Sequence, residues 1–203
     1  MALLQHPDGD PDRRASKGGL RHHWRERRRQ AMAAGAGDAI RAAVQQHLPA
    51  ALGPGRHLGL FWPLAGEPDL RPLAEHHPGP LALPAVEQGS HGQRLVYRSW
   101  RPGEALVADA CAIPAPSGAA LPADELALLL VPALALDHQG IRLGYGGGWY
   151  DRLRADPAWR QVPALVVLPQ ACLLARLPAD PWDVPFSGWI DEGGHHSCSL
   201  SMP

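Results

Sequence analysis

Of the 19 basic residues in this 203-residue sequence only one is a lysine, Lys17, and only three residues are cysteines, Cys111, Cys172 and Cys198. The cysteine spacing fits neither a zinc site nor a disulfide framework. No apolar run is long enough to span a bilayer: the longest, Leu126 to Leu136, is interrupted by Pro132. The N-terminus carries no apolar segment of the signal-peptide kind, which predicts a cytoplasmic protein. Charge of one sign is also lacking. Nineteen basic residues stand against 20 acidic ones, a net charge of −1, so the chain as a whole is no polyelectrolyte binder of DNA or membrane. There is no Gly-Lys-Ser/Thr loop and no G-x-S-x-G elbow. The pairs His22-His23, His76-His77 and His195-His196 lack the spacing of a zinc helix. No internal repeat is visible.

What is present is a 45% apolar composition, enough at this length for one medium domain with its own core. Residues 1–16 show no apolar period and read as a disordered extension, residues 17–192 as one domain, and residues 193–203 as a flexible tail. Leu20–Ala34 reads as a helix with few apolar residues. A second helix runs from Ala39 to Leu48, with Asp38 as its N-cap and Ile40, Val44 and Leu48 on one face. His57–Trp62 alternates as a strand, Asp69 caps a short helix reaching His76, and Pro80–Val86 and Leu95–Trp100 read as strands. Leu126–Val131 and Ala164–Leu168 are continuous apolar runs, as expected of strands buried on both faces. Trp149–Arg154 reads as a helix and Trp189–Asp191 as a last edge strand. Helices alternating with apolar strands predict an α/β layer fold.

The strongest local signal spans residues 137–151. An apolar strand leads into a loop with five glycines, Gly140, Gly144, Gly146, Gly147 and Gly148, and a helix follows from about Trp149. Glycines allow positive φ and close approach of the backbone, and successive N–H groups form a nest for phosphate oxygens. Arg142 adds a cation and Asp151 a carboxylate, the pairing a magnesium nucleotide requires. The bland alternative is a mobile glycine-rich turn. Glu67 lies in the loop after the first strand, where open α/β sheets bind ligands. On its own it reads as a solvated loop acid. Residues 13–29 carry eight basic side chains against one acid, Glu26. Most of these arginines read as a solvated face; a nucleic-acid module is a weaker alternative, because no binding motif accompanies them.

Taken in order, these segments resemble the 5-formyltetrahydrofolate cyclo-ligase (methenyltetrahydrofolate synthetase) family. The resemblance is carried by Lys17-x-x-Leu20-Arg21, by Trp62 to Glu67, by Leu95 to Trp100 followed by Pro102-Gly103, by Arg142 to Arg152, and by Pro181-Trp182-Asp183. It implies a three-layer sandwich with a mostly parallel central sheet, of the NagB/ribose-isomerase/CoA-transferase type. It also implies an ATP- and Mg²⁺-dependent ligase acting on a reduced folate, cytoplasmic and monomeric, without nucleic-acid or membrane partners. A non-catalytic protein that keeps the nucleotide or folate pocket is the alternative. By the resemblance Lys17, Arg21, Arg142, Leu143, Gly144, Tyr145, Gly146, Gly147, Gly148, Trp149 and Tyr150 form the nucleotide site. Trp62 and Glu67, with Tyr145 to Trp149, form the folate site. Lys17, Arg142 and Glu67 serve the chemistry, and Asp151 and Asp183 hold the metal. Two positions depart from the pattern: Trp149 replaces a tyrosine or phenylalanine, and Gly147 stands where some members have lysine. The end of the segment Phe186 to Glu192 also lacks the family's Thr-Glu.

Overall fold

The computed structural model describes residues 17–48, 52, 55–90 and 92–199, with the backbone alone at Lys17. Two helices, α1 (Lys17–Ala33) and α2 (Ala36–His47), precede β1 (His57–Gly59). A single helical turn, Arg71–Glu75, leads to the hairpin of β2 (Leu81–Gly89) and β3 (Gly92–Trp100). The short pair β4 (Val107–Ala108) and β5 (Pro114–Ala115) follows, then β6 (Leu126–Pro132), β7 (Ala135–Asp137) and β8 (Arg142–Leu143). The chain ends with α3 (Trp149–Ala155), α4 (Pro157–Gln161), β9 (Ala164–Val167), β10 (Leu173–Leu174), β11 (Gly188–Asp191) and β12 (Gly194–Ser197).

Seven strands form the central sheet in the order β12-β11-β9-β6-β1-β2-β3. Its inner pairs are all parallel, and only the two outermost pairs, β11 with β12 and β2 with β3, are antiparallel. The apolar runs explain this. Every residue of β6 is buried, so both of its faces need cover. Leu129 and Val131 pack on one side with Leu20 and Trp24 of α1 and Tyr150 and Leu153 of α3. Leu128 and Leu130 pack on the other with Ile40 and Val44 of α2 and Leu70 and Leu73. The result is helix, sheet, helix: the three-layer α/β arrangement with a mostly parallel sheet that the resemblance implied.

Several local expectations need correction. The second helix starts earlier, after Gly35 at φ 95°, and Asp38 is not its cap but lies in the first turn, 2.8 Å from Arg41. The first strand stops at Gly59, not Trp62, although the Leu60 N–H still donates to the Ala82 carbonyl of β2 at 2.9 Å. Asp69 is not the cap of the short helix, a place Leu70 takes; it lies one residue earlier, where Oδ1 accepts the Arg71 N–H at 3.0 Å. Trp189–Asp191 is not an edge, because β11 lies between β9 and β12. The edge is β12, inside the stretch read as a flexible tail. Its sequence, Gly-His-His-Ser, has no apolar alternation to announce it. It is held instead by buried Asp191, which accepts the Gly193 N–H at 2.8 Å and faces His196 Nε2 at 3.0 Å. The expected extension, residues 1–16, lies outside the described residues, as do residues 200–203.

Candidate active site

Ordered by chain position, the five parallel strands β1, β2, β6, β9 and β11 lie 2-1-3-4-5 across the sheet. The direction of winding reverses between β1 and β6, and ligands of open α/β sheets bind beyond the carboxyl ends of the strands at such a point. A pocket lies there. Phe61, Trp62 and Glu67 enter it from the loop after β1, and Pro132 from the end of β6. Leu95, Asp109 and Cys111 line another wall, and Tyr145, Trp149 and Tyr150 close it from the glycine loop and α3. Of the residues expected at the folate, Trp62, Glu67, Tyr145 and Trp149 line this pocket, together with Tyr150 of the expected nucleotide set.

Glu67 is not a solvated acid. It is 6% exposed, its Oε2 accepts the Leu64 N–H at 2.8 Å, and its own N–H donates to the Leu64 carbonyl at 2.9 Å. Its Oε1 accepts the Tyr145 hydroxyl. Nor is the whole basic helix solvated. Leu20, Trp24 and Arg28 recur every four residues on α1, and all three are buried, Arg28 to 1% exposure. A guanidinium withdrawn from water needs acceptors. Arg28 Nη1 donates to the Tyr145 hydroxyl, to the Ala133 carbonyl at 3.3 Å and to Glu67 Oε1 at 3.5 Å; Nη2 donates to the Ala65 carbonyl at 3.2 Å. Sequence reasoning missed Arg28, although its place as the third member of an i, i+4, i+8 face was the available signal. Burial, with the Glu67 charge beside it, pushes the Tyr145 hydroxyl well above the usual phenol range, so it remains a donor.

The glycine loop lies between β8 and α3. Gly146 takes φ 110° and Gly148 φ 61°, conformations that favour glycine. Arg21 reaches the loop as expected: Nε donates to the Gly144 carbonyl at 3.1 Å, and the guanidinium packs beside Gly146. Lys17 opens α1 one turn earlier; its side chain lies outside the described atoms. The two departures from the family pattern are linked. The Trp149 indole folds back onto Gly147, where an added Cβ would sit 2.4 Å from Trp149 Nε1. A lysine at 147 and this indole position exclude each other.

Arg142 does not project into open space. Its side chain is 5% exposed, Nη1 donates to the Pro132 carbonyl at 3.3 Å, and Nη2 lies 3.6 Å from Asp151 Oδ2. The exposed cation of the loop is Arg152, whose guanidinium lies 4.5 Å from the Trp149 ring centroid and beside Gly148. Asp183 Oδ2 accepts the Asp180 N–H at 2.8 Å in the Pro181–Asp183 turn. Among the described residues no group of three or more His, Cys, Asp or Glu side chains is arranged to hold a metal ion. One loop carboxylate, Asp151, fits a Mg²⁺ that arrives with phosphate oxygens, since Mg²⁺ commonly takes one or two carboxylates and keeps its waters. It does not fit a metal caged by protein alone.

A parallel α/β sheet with a glycine loop and a buried acid meeting at its switch point defines an α/β enzyme with a small-molecule site. Residues 13–190 match the model of the 5-formyltetrahydrofolate cyclo-ligase family, and the chain belongs to this family of ligases. It is 31% identical over 134 residues to the 5-formyltetrahydrofolate cyclo-ligase of Escherichia coli K12, a match covering 63% of this chain and 73% of that protein. It is 39% identical over 119 residues to the enzyme of the same name from Mycolicibacterium smegmatis, covering 57% of this chain and 55% of that one. The NMR structure of Aquifex aeolicus 5,10-methenyltetrahydrofolate synthetase matches with a TM-score of 0.71 at 24% identity, over 92% of this chain and 95% of that one. That likeness concerns the fold. Among the described residues no helix is long and apolar enough to cross a membrane.

Proposed function

We propose that this protein converts 5-formyltetrahydrofolate and ATP into 5,10-methenyltetrahydrofolate, ADP and phosphate, as a monomer in the cytoplasm. The observation that carries the reading is the contact of Glu67 with Tyr145, which joins the loop after β1 to the glycine loop within one pocket. A cyclo-ligase needs that junction, because the γ-phosphate and the formyl oxygen must meet.

The chemistry follows from the substrate. A formamide carbon is a weak electrophile and its oxygen a poor leaving group. Attack of the formyl oxygen on the γ-phosphorus, with ADP leaving, turns that oxygen into a phosphate ester on an iminium carbon. N10 then adds to the carbon, loses its proton, and phosphate departs as the C–O bond breaks. The protein's task is alignment and charge neutralisation. In this reading Glu67 and Trp62 hold the folate. The amides of Gly144 to Gly148, with Lys17, Arg21 and Arg152, hold the triphosphate, flanked by Leu143 and Tyr150. Arg142 acts from beneath the loop, on Asp151. Mg²⁺ on Asp151, with Asp183 as a second ligand, would supply the counter-charge for the transferring phosphoryl group. A turnover assay tests the reading: near-UV absorption of the methenyl product should grow only with folate, ATP and Mg²⁺ together. Binding of both ligands without turnover would make this a non-catalytic binding protein.

A further inference from the structure

Three donors meet the Glu67 carboxylate, and they differ in how firmly each is held. The Leu64 N–H is backbone of the same turn, 2.8 Å from Oε2. Arg28 is fixed from three sides, by the carbonyls of Ala133 and Ala65 as well as by Glu67, and sits on a helix face packed against the core. Tyr145 belongs to the loop and has a glycine on either side. In the free chain the Arg28 and Glu67 side chains are each 1% exposed, so no ligand reaches the carboxylate until one donor moves.

We propose that Arg28 is a positioning residue that keeps Glu67 aimed at the pocket, and that Tyr145 is a placeholder whose hydroxyl the substrate displaces from Glu67. The proposal deepens the cyclo-ligase reading and rests on its assignment of Glu67 to the folate. A buried carboxylate can accept N–H donors such as the amide and amino groups of a pterin ring, provided its oxygens are held towards them. When Tyr145 leaves, Arg28 Nη1 remains against Oε1, so the carboxylate is never an unpaired buried charge. Tyr145 is also part of the glycine loop. Its release therefore tells the nucleotide side that the folate pocket is filled.

The test is steady-state kinetics with each substrate varied, on Arg28→Met, Arg28→Lys and Tyr145→Phe. Arg28→Met should raise the KM for 5-formyltetrahydrofolate by about 10- to 100-fold, the worth of a lost charge-assisted hydrogen bond. The KM for ATP should stay near wild type. Arg28→Lys should recover part of the loss, and it keeps the test alive should the methionine variant not fold. Tyr145→Phe should lower the folate KM, because the ring still lines the pocket while the hydroxyl that competes for Glu67 is gone. An unchanged or raised folate KM in that variant would overturn the placeholder. A folate KM in Arg28→Met that matches wild type would overturn the positioning role alone. No wild-type turnover at all would overturn the underlying reading instead.

Discussion

Arg28 and Glu67 face each other across 39 positions of sequence, Nη1 to Oε1 at 3.5 Å, with both side chains 1% exposed. Removing one partner of such a pair strands the other charge in the interior, which costs about 3–5 kcal/mol. Glu67→Gln keeps the shape and an acceptor for the Leu64 N–H, but leaves Arg28 without its counter-charge. We expect its unfolding free energy in urea to fall by about 3 kcal/mol. Its folate handling should be lost while nucleotide binding, measured directly, stays intact. Loss of ATP affinity with folate affinity preserved would show that the two pockets have been assigned the wrong way round.

Cys111 offers an independent marker of the folate pocket. It is exposed and lines the pocket with Trp62 and Glu67, whereas Cys172 and Cys198 are buried. Burial pushes each of those two thiols up to about 11. Partial burial and the neighbouring Asp109 also raise the Cys111 thiol above its ordinary value. Only the thiolate reacts, so alkylation of Cys111 should be slow at pH 7 and should accelerate steadily towards pH 9. Peptide mapping after brief iodoacetamide treatment should find the label at Cys111 first. Saturating 5-formyltetrahydrofolate should protect it, and ATP alone should not. Protection by ATP alone would contradict the assignment of this wall to the folate.

The sequence announced the elements whose signal is local. β6 was visible because a strand buried on both faces must be apolar throughout, and the glycine loop because positive φ at Gly146 and Gly148 demands that residue type. β12 was not visible, since its place on the sheet depends on Asp191, which receives bonds from Gly193 and His196. Arg28 was misread for a similar reason. Its partners lie 37, 39, 105 and 117 positions away, and nothing in a run of arginines says which one is turned inward. The roles of Arg142 and Arg152 turned on side-chain direction: the first is packed on the Pro132 carbonyl and Asp151, the second lies over Trp149. Residue type and spacing found the right segment but could not choose between them.

The β2–β3 hairpin carries a pH-dependent element of stability. Glu87 bridges Arg94 at 2.7 Å and Arg98 at 2.6 Å, and these bonds, that to Arg94 foremost, hold its carboxyl below the usual range. A carboxyl whose folded value is depressed contributes stability above its unfolded value of about 4.5, and loses it as pH falls through the folded value. Glu87→Gln should therefore lower the melting temperature at pH 7, by the equivalent of about 1 kcal/mol or less. The gap to wild type should narrow as pH falls below 4.5 and close only past the depressed folded value, where the wild-type side chain is neutral in both states. A gap of equal size at pH 3 and pH 7 would show that the packing of the side chain, not its charge, matters.

Asp151 decides whether the glycine loop is a nucleotide site. Its Oδ2 lies 3.6 Å from Arg142 Nη2; the arginine side chain is 5% exposed and the aspartate 22%. Two roles are compatible with that geometry. Asp151 could serve only to hold Arg142 beneath the loop, or it could turn its free oxygen to a cation brought by the triphosphate. A bare carboxylate beside phosphate oxygens is repelled, so the second role requires Mg²⁺ between them. Asp151→Asn separates the two. Asparagine keeps the shape and leaves an amide oxygen beside the Arg142 guanidinium, so a mere holder would retain most of its turnover. A metal ligand would not, because the charge that binds the cation is gone, and with it the stabilisation of the transferring phosphoryl group. We expect turnover of Asp151→Asn to fall by about 100-fold or more, on the scale of a lost electrostatic contact in an active site. Its melting temperature should stay near wild type. Raising Mg²⁺, or replacing it with Mn²⁺, should restore part of the rate, since a weakened site fills at higher metal concentration. Turnover like that of wild type at low Mg²⁺ would remove Asp151 from phosphoryl transfer and leave it as the anchor of Arg142.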